Sequence, residues 1–393
     1  MSSGFDAARL GRIEPWLNAA LARHSVPGAI AMIARGDQVH VFTAGASDVE
    51  SGTPMTRDTI IRIASMTKPI TVTAALMLVE EARIALDDPV EQWLPELANR
   101  KVLRSIDSPV DDTELALRSI TLRDLLTFRA GIGAIMKPPG TYPIQREMEA
   151  LGIAPGPNAI GISPDEYMAK IGALPLLHQP GERWMYHTAI EVLSVLIARV
   201  VDKPLEQFLE ERIFAPLGME DTGFEVPASK RDRFATCYVL RSEQLARWDT
   251  PDGQFSRSQI FPSEVVSTAD DYLRFARMLL RHGEAPHGRL LSRASVLLMM
   301  ADQLTAEQKD KSPFPGLWDG SGWGMGGRVV TRRTDIDIGP GAYGWSGGYG
   351  THFVIDPCEN LFATVLTQRT MQGPGDDRIG RELFTLTYAA LDS

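Results

Sequence analysis

Residues 59–80 read TIIRIASMTKPITVTAALMLVE, and the fold is decided at Ser65-Met66-Thr67-Lys68 in the middle of that stretch. A helix is expected from Ser65 to about Ala82. The eleven residues from Pro69 to Val79 carry no charge, and from Ile70 to Val79 the pattern is apolar nearly all round. That is the mark of a helix buried on most faces. Residues i and i+3 share a helix face, so the side chains of Ser65 and Lys68 can meet. The Ser65 N–H falls in the first turn, where it has no intrahelical partner and is free to bind an anion. Pro69 also falls within about the first turn, where a missing N–H does little harm. The chemistry sets two demands. A serine hydroxyl is a weak nucleophile and needs a base within hydrogen-bond reach. A lysine is that base only if burial or a nearby cation lowers its pKa. The plain alternative is a capping serine with a lysine snorkelling on a surface helix. The uncharged run after Lys68 speaks against it, because it would place an unpaired ammonium in a buried site.

Upstream, apolar residues recur at helical spacing from Phe5 to Ala22. Two strand-like runs follow, GAIAMIAR and VHVFTAG, joined by the hairpin signal Gly36-Asp37. Downstream, Leu86-Asp87-Asp88-Pro89 ends the buried element. Residues from about 90 to 285 read mainly as helices between Pro/Gly breaks: Leu122–Phe128, Pro164–Ile171, Ile190–Val201, Leu205–Phe214 and Ala269–Leu280. Thr121 with Asp124, Ser163 with Glu166, and Thr268 are their cap signals. Pro138 to Pro143 and Pro155 to Asn158 are loops by composition. After Trp318 glycine becomes dense. GMGGRVV, GTHFVID and LFATVLT read as strands, and Arg378 to Leu391 as a last helix. The expected fold class is α/β. Residues 1–85 and 286–393, from both chain ends, build a sheet flanked by helices, and a mainly helical domain, residues 86–285, is inserted between them.

Composition bounds the function. The 393 residues are 44% hydrophobic, 23% charged and 7% aromatic, ordinary for a soluble globular protein. A net charge of −10 lacks the basic footprint of a nucleic-acid binder and disfavours anionic membrane surfaces. The longest uncharged helical run, Pro69–Val79, is far short of the ~20 residues that a membrane span requires. Cys237 and Cys358 make no C-x-x-C or metal-ligand spacing, and read as reduced thiols. No basic head precedes an apolar block at the N-terminus, so no signal peptide is read and a cytoplasmic protein is expected. No zinc spacing occurs, and neither a metal nor a cofactor is expected.

Two further stretches carry chemistry. Tyr186-His187-Thr188 follows Pro180-Gly181-Glu182-Arg183-Trp184-Met185. A tyrosine can shuttle a proton when a nearby cation favours its phenolate. His187 is expected to point away from the face of Tyr186, since neighbours in an extended segment do not face one another. Gly344-Trp345-Ser346-Gly347-Gly348-Tyr349-Gly350 precedes a strand, and its glycines let backbone N–H groups approach a ligand closely. Part of it matches the G-x-S-x-G nucleophile elbow. An elbow needs a following helix and a later acid and histidine, whereas a strand follows here and His352 is the only later histidine. Gly322 to Gly327 matches G-x-G-x-x-G but runs into a strand, so no helix N-terminus is there to hold a pyrophosphate.

S-x-x-K on a buried helix, Y-x-N/S/T about 120 residues later, and K/H/W-x-G on a late strand together resemble the serine β-lactamase and penicillin-binding superfamily. The stretches TRDTIIRIASMTKPIT, LDDPVEQWLPE, LRDLLTFRAGI, PGERWMYHTAIEVLSVLIARVV, LGMEDTGF and STADDYLRFARMLL resemble its class C-like branch. Trp345 in place of lysine resembles the family VIII carboxylesterases, and related acyltransferases have a similar site. The resemblance implies a β-lactamase-like fold with an antiparallel sheet. It implies Ser65 as nucleophile, Lys68 as its partner in deprotonation and Tyr186 as second proton carrier. The backbone N–H groups of Ser65 and Gly348 would form the oxyanion hole.

Two departures bear on the substrate. A lysine at 345 would hold a β-lactam carboxylate, and Trp345 cannot. An asparagine at 188 would contact an acylamide side chain, and Thr188 has no amide. Both favour neutral esters. Trp345, Thr188 and Trp184 are expected to border the substrate, with the two indoles as an apolar wall that limits acyl length. The expected function is a serine hydrolase that cleaves small-molecule carboxylic esters through an acyl-enzyme on Ser65. A β-lactamase or D-amino-acid peptidase/acyltransferase at the same site is the alternative. A catalytically silent binding protein on this fold is the alternative from another class; the complete Ser65/Lys68/Tyr186 set argues against it.

Overall fold

The computed structural model describes residues 4–156, 160–248, 264–312, 314, 317–373 and 375–392. Helix α1 (Ile13–Arg23) leads into strands β1 (Gly28–Arg35), β2 (Gln38–Asp48) and β3 (Thr53–Pro54). Five strands come from the other end of the chain: β4 (Ser321–Trp323), β5 (Arg328–Val330), β6 (Tyr343–Gly347), β7 (Thr351–Asp356) and β8 (Leu361–Thr367). They form one antiparallel sheet in the order β4-β5-β6-β7-β8-β1-β2-β3. The seam between the chain ends is β8 against β1, with Ala29 opposite Thr367 and Arg35 opposite Leu361. All seven residues of β8 are buried and seven of the eight in β1, because both sheet faces are covered there. Gly36, at φ +58°, makes the β1–β2 turn that Gly36-Asp37 signalled.

Each sheet face has its own core. On one, α1 and the last helix α6 (Arg378–Ala389) pack Ile13, Leu17, Leu383 and Phe384 on Ala31, Ile33, Val354 and Val365. On the other lies the larger core, with α2 (Lys68–Glu80), α4 (Thr188–Val201) and α5 (Ala269–Leu280). Every residue of α2 from Lys68 to Leu78 is buried, as its unbroken apolar pattern requires. The short helix α3 (Leu122–Leu126) opens with the full capping box that Thr121 and Asp124 announced. Thr268 caps α5 with one bond, its hydroxyl oxygen accepting from the Asp271 N–H. Among the described residues no helix is long and apolar enough to cross a membrane.

Local differences from the expected elements have physical causes. The helix expected from Ser65 starts as a 3-10 turn, Ala64–Thr67, and becomes α-helical only at Lys68. The helix expected over 5–22 is two, Ala7–Leu10 and α1, parted at Gly11 and Arg12. Leu205–Phe214 is α-helical to Leu209 and then a π-turn. GMGGRVV is not one strand. Its glycines turn the chain between β4 and β5, and Gly326 does so at φ +76° hard against the Lys68 carbonyl. The Pro155–Asn158 loop falls partly outside the described residues.

Candidate active site

Ser65, Tyr186 and Gly348 line one cavity of about 680 Å3 at the free end of β6. The 3-10 turn brings Ser65 there. Ala64, just before it, holds φ +45°, a left-handed conformation that residues with a side chain rarely take. Such strain persists only where its surroundings enforce it, and it gathers at functional sites. Lys68 is 3% exposed, and its Nζ donates to Ser65 Oγ at 2.8 Å. The same Nζ stands 5.2 Å from the centroid of the Tyr186 ring.

The tyrosine is held on every side. Its ring stacks on Trp184, with centroids 5.7 Å apart. Its carbonyl accepts from Ala134 N–H at 2.8 Å. Trp345 Nε1 donates to its hydroxyl at 2.6 Å. The residue that stands where the family pattern places a lysine therefore gives the phenol oxygen a neutral N–H donor. Trp345 is partly buried and also lines the cavity.

Two expected substrate contacts are corrected. Trp184 has no exposed surface and lies behind Tyr186, packed among Phe128, Trp318 and Trp323. It supports the tyrosine instead of walling the pocket. Thr188 is the first residue of α4 and is fully buried, so it borders no substrate. Met136, Phe314, Leu317 and Trp345 are among the apolar residues that line the cavity instead. Met136, Phe314 and Leu317 lie in loops, and no spacing in the sequence ties them to Ser65.

His187 is also corrected, because its ring meets the Tyr186 ring edge to face at 5.9 Å. It caps α4 with φ +84°, and its Nε2 lies 2.9 Å from Glu191 Oε1, one turn along. Tyr167 donates to the other Glu191 oxygen at 2.5 Å. Burial alone would raise the Glu191 pKa. The charge of His187, the bonds from His187 and Tyr167, and the Lys68 cation outweigh it and hold the carboxyl below its ordinary range. Glu264 also feels Lys68 and His187, but burial wins there and its pKa is raised. The buried ammonium that looked unpaired in sequence thus acts on two acids, Glu191 and Glu264, through its charge. Glu191, four residues after His187 on an apolar helix, was the one visible hint of this.

The Gly347-Gly348 turn comes close to the backbone beside Ser65. A Cβ on Gly347 would lie 2.4 Å from the Ile63 carbonyl and 2.2 Å from Thr351 Oγ1, so only glycine lets β6 come this near the turn that carries Ser65. Gly348 follows at the cavity wall. Among the described residues, neither the Ser65 nor the Gly348 N–H is taken by a loop or turn hydrogen bond. Both sequence decoys resolve as hairpins: Gly344 to Gly348 runs from β6 into the turn before β7, and Gly322 to Gly327 joins β4 to β5.

A profile of the Beta-lactamase family matches residues 13–386, and the chain belongs to that family. It is 41% identical over 354 residues to Protein Rv1367c of Mycobacterium tuberculosis, covering 87% of this chain and 85% of that one. It is 28% identical over 394 residues to Esterase EstB of Burkholderia gladioli, covering 94% and 93%. Among solved structures, EstCE1, described as a hydrolase with promiscuous acyltransferase activity, matches with a TM-score of 0.79 at 25% identity over 97% of this chain and 99% of that one. The LovD6 mutant of simvastatin synthase from Aspergillus terreus matches at 0.78 and 26% identity over 99% of each chain. The protein is a β-lactamase-fold hydrolase with esterase and acyltransferase relatives.

Proposed function

We propose that the protein is a serine carboxylesterase that forms an acyl-enzyme on Ser65. The observation that carries this reading is the 2.8 Å contact of Lys68 with Ser65 Oγ, with Tyr186 beside both and bonded to Trp345. Ser65 Oγ attacks the ester carbonyl carbon, and its proton passes to Lys68 as the free amine or to Tyr186 as the phenolate. The oxyanion forms on the N–H groups of Ser65 and Gly348, each such donor being worth roughly 3 kcal/mol in the transition state. Collapse breaks the bond to the alcohol oxygen. Tyr186 protonates that oxygen, and the alcohol leaves. Water, or a second alcohol, attacks the acyl-serine by the reverse proton path and restores Ser65. Trp345 places no cation beside the leaving group, which supports esters over β-lactams. We propose a cytoplasmic location, in keeping with Cys237 and Cys358 forming no disulfide.

The test compares p-nitrophenyl butyrate with a chromogenic cephalosporin, alongside labelling by a fluorophosphonate probe. Turnover of the ester, little of the cephalosporin, and an adduct on Ser65 are expected. An unlabelled, inactive protein would sink the reading in favour of a silent binding protein.

A further inference from the structure

From Thr188 to Ala198 the one charged residue of α4 is Glu191. It falls in the first turn, on a stretch of helix buried from Thr188 to Ile197. A buried carboxylate is costly unless hydrogen bonds and opposite charge hold it. Here both oxygens are held. Oε1 lies 2.9 Å from His187 Nε2, and Oε2 accepts from the Tyr167 hydroxyl at 2.5 Å. Tyr167 has no exposed surface and comes from a separate helix, Pro164–Ala173. The proton path proposed above uses none of these three residues.

Their contacts lead to a strained point of the backbone beside Tyr186. His187 holds φ +84° and ψ −77°, the conformation at the centre of the rarer, strained form of γ-turn. Such strain persists only where its surroundings enforce it. The Tyr186 carbonyl is fixed by the Ala134 N–H at 2.8 Å, and the His187 carbonyl by the Ile190 N–H at 3.0 Å. The His187 side chain is fixed by Glu191. The same imidazole meets the Tyr186 ring at 5.9 Å, with the two planes 63° apart. A chain of contacts thus runs from Tyr167 through Glu191 and His187 to the phenol, whose oxygen accepts from Trp345.

We propose that Glu191 is a positioning residue for Tyr186: braced by Tyr167, it fixes His187 in the strained turn, and the imidazole fixes the phenol where it can protonate a departing alkoxide. This rests on the esterase reading above. Glu191 also lies in the field of Lys68, so a displaced phenol has to be told from a changed charge. Leaving-group dependence separates the two. Ethoxide needs a proton to leave, whereas nitrophenolate does not. A displaced Tyr186 therefore slows an ethyl ester most. A change at Lys68, or a loss of folded protein, slows both esters alike, because both need Ser65 deprotonated.

The experiment reads kcat/KM for ethyl butyrate and p-nitrophenyl butyrate, which share one acyl-enzyme. Glu191→Met fills the space without an acceptor. His187→Phe keeps a ring against Tyr186 without the nitrogen that meets Glu191. The nitrophenyl-to-ethyl ratio should rise about tenfold or more in Glu191→Met, since misplacing a catalytic group by about 1 Å costs roughly 10^2-fold. His187→Phe should raise it as well, and the double variant no further than the larger single effect. Glu191→Gln can still bond both neighbours without the charge, and should stay close to the wild type. In a Tyr186→Phe background, Glu191→Met should leave the ratio where Tyr186→Phe alone puts it. If Glu191→Met does not fold, His187→Phe carries the same test. A wild-type ratio in either variant overturns the proposal. So does a rise in Glu191→Gln equal to that in Glu191→Met, or a further rise on Tyr186→Phe. A wild type that turns over neither ester would instead refute the esterase reading.

Discussion

Ser65 and Ser346 line the same cavity, and each has a basic nitrogen within hydrogen-bond distance: Lys68 Nζ at 2.8 Å and His352 Nδ1 at 2.7 Å. Their surroundings differ in everything else. Ser65 stands on a strained turn at the mouth of a buried helix. Ser346 lies inside β6, opposite His352 in the ladder to β7. Lys68 sits in the field of Glu191, which is buried, and Glu264, which is partly so. His352 is enclosed, its Nε2 meets no partner among the described residues, and burial lowers its pKa to about 4. A serine beside a base is thus common chemistry. On the proposed reading, what would make Ser65 the nucleophile is a nearby place for the oxyanion, which Ser346 lacks inside its strand.

The sharpest way to break this comparison is to exchange the serines' fates. Ser65→Ala is expected to lower kcat by about 10^4-fold or more, and Ser346→Ala by less than about tenfold. Intact-protein and peptide mass spectra after fluorophosphonate treatment should carry the adduct on Ser65. An adduct on Ser346 would make the elbow real.

Next come the two proton carriers. Lys68→Ala and Tyr186→Phe should each cut kcat by roughly 10^3-fold with little change in KM, and the double variant should be little worse than either, as for groups that act as a unit. Additive losses would separate the two into independent pathways.

A smaller effect tests the backbone. In Gly347→Ala the new methyl meets the Ile63 carbonyl at 2.4 Å. The shift should spoil the oxyanion donor of Gly348 and lower kcat by about 10^2-fold, with circular dichroism unchanged. Wild-type kcat in that variant would remove Gly348 from the oxyanion hole.

The smallest effect concerns stability on the Ser346 side. His352 takes its proton at about pH 4 in the fold, against 6.5 for an ordinary imidazole; burial lowers it, Arg369 adds to that, and Asp376 opposes. The unfolded chain therefore binds this proton first. The contribution of His352 is complete above pH ~6.5 and is lost as pH falls toward 4, up to roughly 3 kcal/mol. His178, also lowered to about 4 by burial, acts in the same sense. Urea midpoints between pH 7 and 4.5 should fall less steeply in His352→Gln than in the wild type. Parallel slopes would mean that His352 is not neutral in the fold.

The sequence by itself determined the elements whose cause is local. The α2 helix was legible because its side chains are apolar on all sides, and the β1–β2 hairpin because Gly36-Asp37 fits only a turn. The Ser65–Lys68 contact follows from i, i+3 spacing, and survives even though the turn begins as 3-10. Only the tertiary structure decided what depends on chain segments far apart meeting. Trp345 bonds Tyr186 across 159 residues of sequence. Lys68 helps hold the Glu191 carboxyl ionised from another element, and Trp184 turned out to be a buried prop because Trp318 and Trp323 close over it. Hydrogen bonds and charge fields act through space and leave no period in the chain, so a residue's type tells what it can do while its neighbours in the fold tell whether it does.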